Sequence, residues 1–382
     1  MPAQPTVTAR SIEQRRPDTL LVMSFGFLLG MPIAIPAPPM YVLAFLTFIL
    51  AAFWYRNALT IADMLPEAGV VVLIALAVLS NLLAQPYQNI DAARIFTTSF
   101  YFLLFLFSRC IPDRRSLLLG FCNAMVIWAL LIIVLAATSG VHEHGLLLFV
   151  VPEFRLWGSS IFPDWPNYLA FMLALAFLLK AIVFRHGIQA FVLLFAAVLT
   201  TSRTPVLAIL LLVLCTVWMQ FLRPRADRVL LTAGAIALAL ASLFLLAAKA
   251  GINEEFLARM LLFSDRDQIF DFAFDLFQQA PWFGHGSILL DDSVGFDGHA
   301  SFHNSYLDIL VRHGVFALLV FLLLLRPPPG SFRTGGLYFA VTVSFFLVGS
   351  IFQNFLKHPH ILMLYVVVIH SSEYFRASHQ PD

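Results

Sequence analysis

Apolar residues in this chain fall in blocks about as long as a bilayer is thick. A membrane-crossing helix needs about 20 mainly apolar residues. Read at that width, the chain predicts twelve spans: Leu20–Ile35, Met40–Tyr55, Ala68–Leu83, Ile95–Phe107, Leu117–Ala137, Tyr168–Phe184, Ile188–Leu199, Val206–Phe221, Val229–Ala248, Tyr306–Leu325, Leu337–Phe352 and Ile361–Tyr374. Pro32 and Pro36 are expected to bend the first. A cleaved signal peptide is the rival reading of residues 1–39, because Arg15 and Arg16 precede an apolar stretch. No clean small-x-small cleavage site follows, so an uncleaved span is the expectation.

Composition points the same way. Of 382 residues, 60% are hydrophobic and 12% charged, about half the usual charged share of a soluble domain. A water-exposed surface of that make-up would aggregate. With 23 Lys+Arg against 22 Asp+Glu, the basic excess expected of a nucleic-acid partner is missing. The expected fold class is an all-α integral membrane protein of about twelve transmembrane helices.

Cationic loops orient it. With the N-terminus in the cytoplasm, fifteen of the 23 basic residues fall on the cytoplasmic side and eight outside. Positive loops stay inside, so both termini are read as cytoplasmic, and losing one span would spoil the bias. The predicted division is a cytoplasmic tail over 1–19, spans one to nine over 20–250, an external loop over 251–302, spans ten to twelve over 303–375 and a cytoplasmic tail over 376–382. Cys110, Cys122 and Cys215 lie in spans or at their inner ends, which offers no disulfide framework and suits packing.

The external side carries the unusual residues. Segment 251–302 holds nine acids and only two bases, Arg259 and Arg266. Steps of four, three and four from Arg266 reach Phe270, Ala273 and Phe277 on one helical face, while Asp267, Asp271, Asp275 and Gln278 form a separate stripe. Arg266 is either an aimed cation at the edge of an apolar face or a partner in a surface salt bridge of little energetic weight. In the turn Thr200-Thr201-Ser202-Arg203-Thr204, Pro205 suits a helix start. Arg203 then stands by exposed N–H groups that can hold an anion, or simply reaches for headgroups. A third segment, Pro152 through Tyr168 with Arg155, Trp157, Gly158, Trp165, Pro166 and Asn167, reads as an ordered interfacial loop.

The spacing of His299 and His303, with His285 upstream, is compatible with a zinc site. No His-Glu-x-x-His or Cys-x-x-Cys pattern supports it, and Gly298 weakens a helix through His299. His303, at the outer mouth of span ten and followed by Asn304, is suited to proton abstraction near neutral pH.

These residues resemble a family, the bacterial O-antigen ligases and the related Wzy-type O-antigen and exopolysaccharide polymerases. His303-Asn304-Ser305 with Gly314 is similar to the family's histidine, polar residue and spaced glycine, with Ala317 at its second small position. Ser202-Arg203-Thr204-Pro205-Val206-Leu207 looks like its arginine-x-x-x-leucine element. Arg266 ahead of Pro281-Trp282-Phe283-Gly284-His285-Gly286 looks like its second arginine before a Pro-aromatic-Gly-x-Gly turn. Arg155 through Ala170 is similar to a further element. The motifs stand in the family's order between Arg155 and Ala317; outside them only hydropathy matches.

The resemblance implies a GT-C-like glycosyltransferase of the bacterial inner membrane, facing the periplasm with one sizeable loop of short helices. It would move a glycan from undecaprenyl pyrophosphate to an acceptor hydroxyl with inversion and without metal or cofactor. The acceptor is lipid A–core for a ligase, the leading reading, or a growing glycan for a polymerase. Without a metal, arginines must neutralise the leaving pyrophosphate: Arg203 and Arg266, with Arg155 weaker. His303 would serve as general base, Asn304 would orient the imidazole or a sugar, and Asn167 would contact substrate. Membrane lipids are the other expected partners. The short loop and Ala317 in place of glycine blur the branch. A non-enzymatic flippase of lipid-linked sugars is the alternative from another class, but transporters place polar residues near mid-bilayer, unlike this chain.

Overall fold

The computed structural model describes residues 15–30, 61–84, 111, 113–138, 166–199, 266–286, 302, 304–352, 355–357 and 359–376. Among these residues the regular elements are all helical. In chain order they are α1 (Arg15–Leu29), α2 (Ile61–Ala84), α3 (Arg114–Thr138), α4 (Pro166–Ile182), α5 (Gly187–Leu199), α6 (Arg266–Gln279), α7 (Ser305–Leu324), α8 (Ser331–Phe352), α9 (Pro359–Ile369) and α10 (Ser372–Arg376), with a 3-10 turn at Phe355–Lys357 before α9. Predicted spans two, four, eight and nine lie outside the described residues.

Local signals set several ends. Asp113 Oδ1 accepts from Ser116 N at 3.0 Å, satisfying a first-turn donor of α3 as a helix cap should. Pro166 opens α4, where a missing N–H costs nothing. Leu337 was the expected start of span eleven, and α8 indeed changes direction just before it, at Gly336 (φ 64°, ψ −153°). The predicted span Ile361–Tyr374 is not continuous. The chain turns at His370 and restarts at Ser372, and Arg114 Nη1 donates to the His370 carbonyl at 2.6 Å, taking up an acceptor the helix end leaves over.

Close approach of backbones fixes the relation of α1 to α3. A Cβ on Gly26 would overlap the Leu117 carbonyl, one on Gly30 would press on Ala124, and one on Gly120 would overlap the Met23 carbonyl. Gly26-x-x-x-Gly30 and Gly120-x-x-x-Ala124 are thus small-residue faces of the kind that lets membrane helices meet without a water-driven force. The order of contacts, Leu117 by Gly26 and then Ala124 by Gly30, makes the two helices parallel. Gly120→Val should separate them; we expect a melting temperature in detergent lower by several degrees, whereas an unchanged transition would show that the approach is not needed.

Helices α2 and α7 run oppositely, since Ser80 meets His313 while Gly69 sits by Leu324. One end of the bundle gathers the last turn of α2, the start of α7 and the Phe355 turn, where Phe355 N donates to Ser305 Oγ at 2.9 Å. The other gathers Arg114, His370 and Leu325, whose carbonyl accepts from Tyr365 Oη at 2.7 Å.

Between the ends lies an aromatic-rich core. Phe171 stacks on Phe345 at 4.5 Å and leans on Phe355 at 4.6 Å, joining α4, α8 and the 3-10 turn. Cys122 is fully buried on α3, in keeping with a packing role. Lys180, one of the fifteen cations counted at the cytoplasmic side, is buried, with Nζ 2.9 Å from Asn123 Oδ1 and 5.5 Å above the Phe184 ring.

The described helices expose large apolar side chains where a soluble protein's would be charged. Ile188 is 85% exposed, Phe191 68% and Leu323 67%, an arrangement suited to lipid contact and not to water. Among the described residues, two helical stretches, Arg114–Val134 and Ser305–Leu324 (the latter kinked at Gly314), are long and apolar enough to cross a membrane, and five shorter apolar helices accompany them. The chain is an integral membrane protein of helical class.

Candidate functional site

The expected span ten is not one helix. Helix α7 breaks at Gly314, whose φ of 80° and ψ of 179° fall in a region that only glycine adopts readily. In an unbroken helix Val315 N would donate to the Val311 carbonyl. Here Val315 N donates to the Pro281 carbonyl at 2.9 Å, the Val311 carbonyl accepts from His285 N at 2.9 Å, and the Arg312 carbonyl accepts from Gly286 N at 2.7 Å. The turn after α6 therefore takes up the backbone groups that the break sets free, as buried backbone groups require.

That fit needs glycine on both sides. Gly284 and Gly286 have φ of 68° and 70°. A Cβ on Gly284 would overlap the Arg312 backbone, and one on Gly314 would overlap the Trp282 carbonyl. Trp282 itself faces outward and stacks on Phe316 with centroids 5.6 Å apart. Residues 305–313 thus form a separate arm, about 13 Å long, docked to the turn of α6.

Buried polar groups hold this arm. Arg312 Nε pairs with Asp308 Oδ1 at 3.2 Å, both side chains 9% exposed. Ser305 Oγ meets Phe355 N, and Tyr306 Oη donates to the Leu347 carbonyl at 3.1 Å. At the lower end, His313 Nδ1 lies 2.9 Å from Ser80 Oγ. The Ser80 hydroxyl donates to the Ala77 carbonyl at 2.8 Å, so it accepts from His313, and the proton belongs on Nδ1. Asn81 Nδ2 shares the same Ala77 carbonyl at 2.6 Å, and its side chain backs onto Gly286. His285 Nε2 meets the Leu276 carbonyl at 2.6 Å, which can only accept, so that nitrogen carries the proton and is committed to the fold.

Helix α6 has the expected two faces, slightly rotated. Ala273 is buried with Phe302 and Val311, and Ile269, Phe272, Leu276, Phe277 and Leu307 pack against that cluster; Phe270 is not part of it. Asp271, Asp275 and Gln278 are exposed as the stripe required. Ile269, one turn beyond Arg266, shares this cluster with Phe302 and Leu307 at the outer end of the arm.

Of the residues singled out in the sequence, His303, Arg203 and Arg155 lie outside the described residues. Arg266 is described as the first residue of α6 and Asn167 as the second of α4, in backbone only. Asn304 caps α7: its Oδ1 accepts from Tyr306 N at 2.9 Å and Leu307 N at 3.0 Å. The cap occupies its oxygen, so any role in orienting an imidazole or a sugar would fall to its amide nitrogen. Ser80, Asn81, Asp308 and His313 were not singled out. A signal existed, in a Ser-Asn pair inside an apolar span and an acid four residues before Arg312, but their meeting depends on packing.

Among the described residues, buried polar groups of the helical bundle cluster where a broken helix meets a glycine turn. Residues 188–322, from α5 to the lower half of α7, match the family model described as O-Antigen ligase (Wzy_C). Over this stretch the chain is similar to the O-antigen ligase family, in agreement with the resemblance drawn from its motifs. The matched residues include Arg203, Arg266 and His303 but not Arg155 or Asn167. No curated protein matches the chain.

Proposed function

We propose that the protein is a glycosyltransferase of O-antigen ligase type, transferring a glycan from undecaprenyl pyrophosphate to a lipid A–core hydroxyl at the periplasmic face of the inner membrane. The observation that carries this reading is that one ligase-type stretch, residues 188–322, holds both arginines and the histidine that such chemistry needs. His303 takes the proton of the acceptor hydroxyl as its oxygen bonds to the anomeric carbon. The bond from that carbon to the pyrophosphate breaks, and undecaprenyl pyrophosphate leaves with the electron pair. Arg203 and Arg266 neutralise its growing charge, their planar forks matching phosphate oxygens two at a time. The amide of Asn304, Arg155 and Asn167 contact sugar or phosphate.

Purified protein given an undecaprenyl-pyrophosphate glycan and lipid A–core should yield the joined product. A chelator of divalent ions should leave the rate within about twofold, because arginine charge stands where a metal would; strong inhibition would overturn the metal-free mechanism. Deletion of the gene should strand full-length glycan on its carrier. Accumulation of single repeat units would instead make the protein a polymerase.

A further inference from the structure

We infer that the hydrogen bond between His313 and Ser80 is a positioning latch, setting the arm of α7 that begins beside His303. The inference rests on the proposed transferase reading, and neither residue is assigned a role by it. Three observations support it. First, the break at Gly314 severs the helical ladder, so the lower half of α7 cannot fix the rotation of residues 305–313. Lateral contacts must do so. Second, hydrogen bonds grip the arm at its two ends: Ser305 holds the Phe355 turn above, and His313 holds α2 below. Third, the lower grip is built into a buried polar group. Ser80 is fully buried and His313 is 2% exposed, and the serine proton is already committed to the Ala77 carbonyl, which leaves one geometry for the imidazole.

Ser80 also lies next to Asn81, which backs onto Gly286. Helix α2 therefore braces at one point both the arm leading to His303 and the turn at the end of the helix that starts with Arg266. A turn of the arm about its axis would swing its outer end while leaving the arm packed. Misplacement of a reacting group by about 1 Å can cost about a hundredfold in rate. His313 is thus a positioning residue acting through His303; it touches no substrate.

The test is a kinetic comparison of wild type, Ser80→Ala, His313→Leu, the double variant and His313→Asn, with thermal unfolding measured on each. Asparagine places an amide N–H near where Nδ1–H stands. We expect Ser80→Ala and His313→Leu each to lower kcat between about tenfold and a hundredfold with donor KM within about twofold. The double variant should be no slower than the slower single, since both remove one bond, and His313→Asn should recover most of the rate. Ser80→Ala deletes a single oxygen and carries the test should His313→Leu not fold. Wild-type kcat in Ser80→Ala, multiplying losses in the double variant, or losses tracking the folded fraction would each overturn the latch. Those outcomes leave the transferase standing; no transfer by the wild type would remove the functional reading and the latch's role with it.

Discussion

Gly314→Ala is expected to be among the most damaging single-atom additions this chain can receive. Two costs coincide at the position. The backbone angles, φ 80° and ψ 179°, are strained for any residue with a Cβ by about 1–3 kcal/mol. The new methyl would also overlap the Trp282 carbonyl, so the turn must withdraw. Withdrawal strands the backbone groups of Val311, Arg312 and Val315 that the turn now satisfies, each costing about 1–3 kcal/mol when buried without a partner. The loss should therefore exceed about 3 kcal/mol, the range reserved for a few named mechanisms. Thermal unfolding in detergent should show it as a large fall in midpoint or as loss of folded protein. A variant that melts like wild type would mean that α7 can run straight. Gly284→Ala, which meets the same junction from the other side, should fail in the same way and more mildly where its neighbours can shift.

The sequence told much about the helices and less about how they meet. Predicted spans Leu117–Ala137 and Ile188–Leu199 agree with α3 and α5 within a few residues, because an apolar block bounded by charge leaves a helix little choice inside a bilayer. The α6 face was legible for the same kind of reason: a period of 3.6 separates acids from aromatics, and only its rotation, toward Ile269 and Leu276, awaited the partner surface. The break at Gly314 was not read from hydropathy, although Arg312 and His313 interrupt the apolar run just before it. Its cause is tertiary, a distant turn supplying the missing partners. The split at His370 is alike, for the group that donates to its carbonyl is Arg114, far earlier in the chain. Ser80 and His313 illustrate the limit best. Each is an ordinary polar residue alone, and 233 positions separate them, so no local pattern pairs them. Asn304 was seen as polar in the right place, but the sequence did not reveal that the helix start would claim its oxygen.

His303→Ala should give the largest loss of transfer with the least structural damage. The Asn304 cap, the Asp308–Arg312 pair and the Gly314 junction are built from other residues, so the fold should survive removal of His303. A positioned general base contributes about a hundredfold to ten-thousandfold, and the rate of joined product should fall by that much while the melting temperature stays within a degree or two. Arg266→Lys separates charge from geometry. Lysine keeps the positive charge but lacks the planar fork that grips a diphosphate, so a partial loss, larger than tenfold in kcat, is expected, with Arg266→Ala worse. The acidic stripe of α6, with Asp271 and Asp275 exposed, supplies an internal control: Asp275→Asn sits on the opposite face and should leave transfer unaltered. Full activity in His303→Ala with donor and acceptor both saturating would remove the base from the mechanism. Equal losses in Arg266→Lys and Arg266→Ala would show that the fork carries all of its contribution, whereas full activity in the lysine variant would reduce Arg266 to a simple point charge.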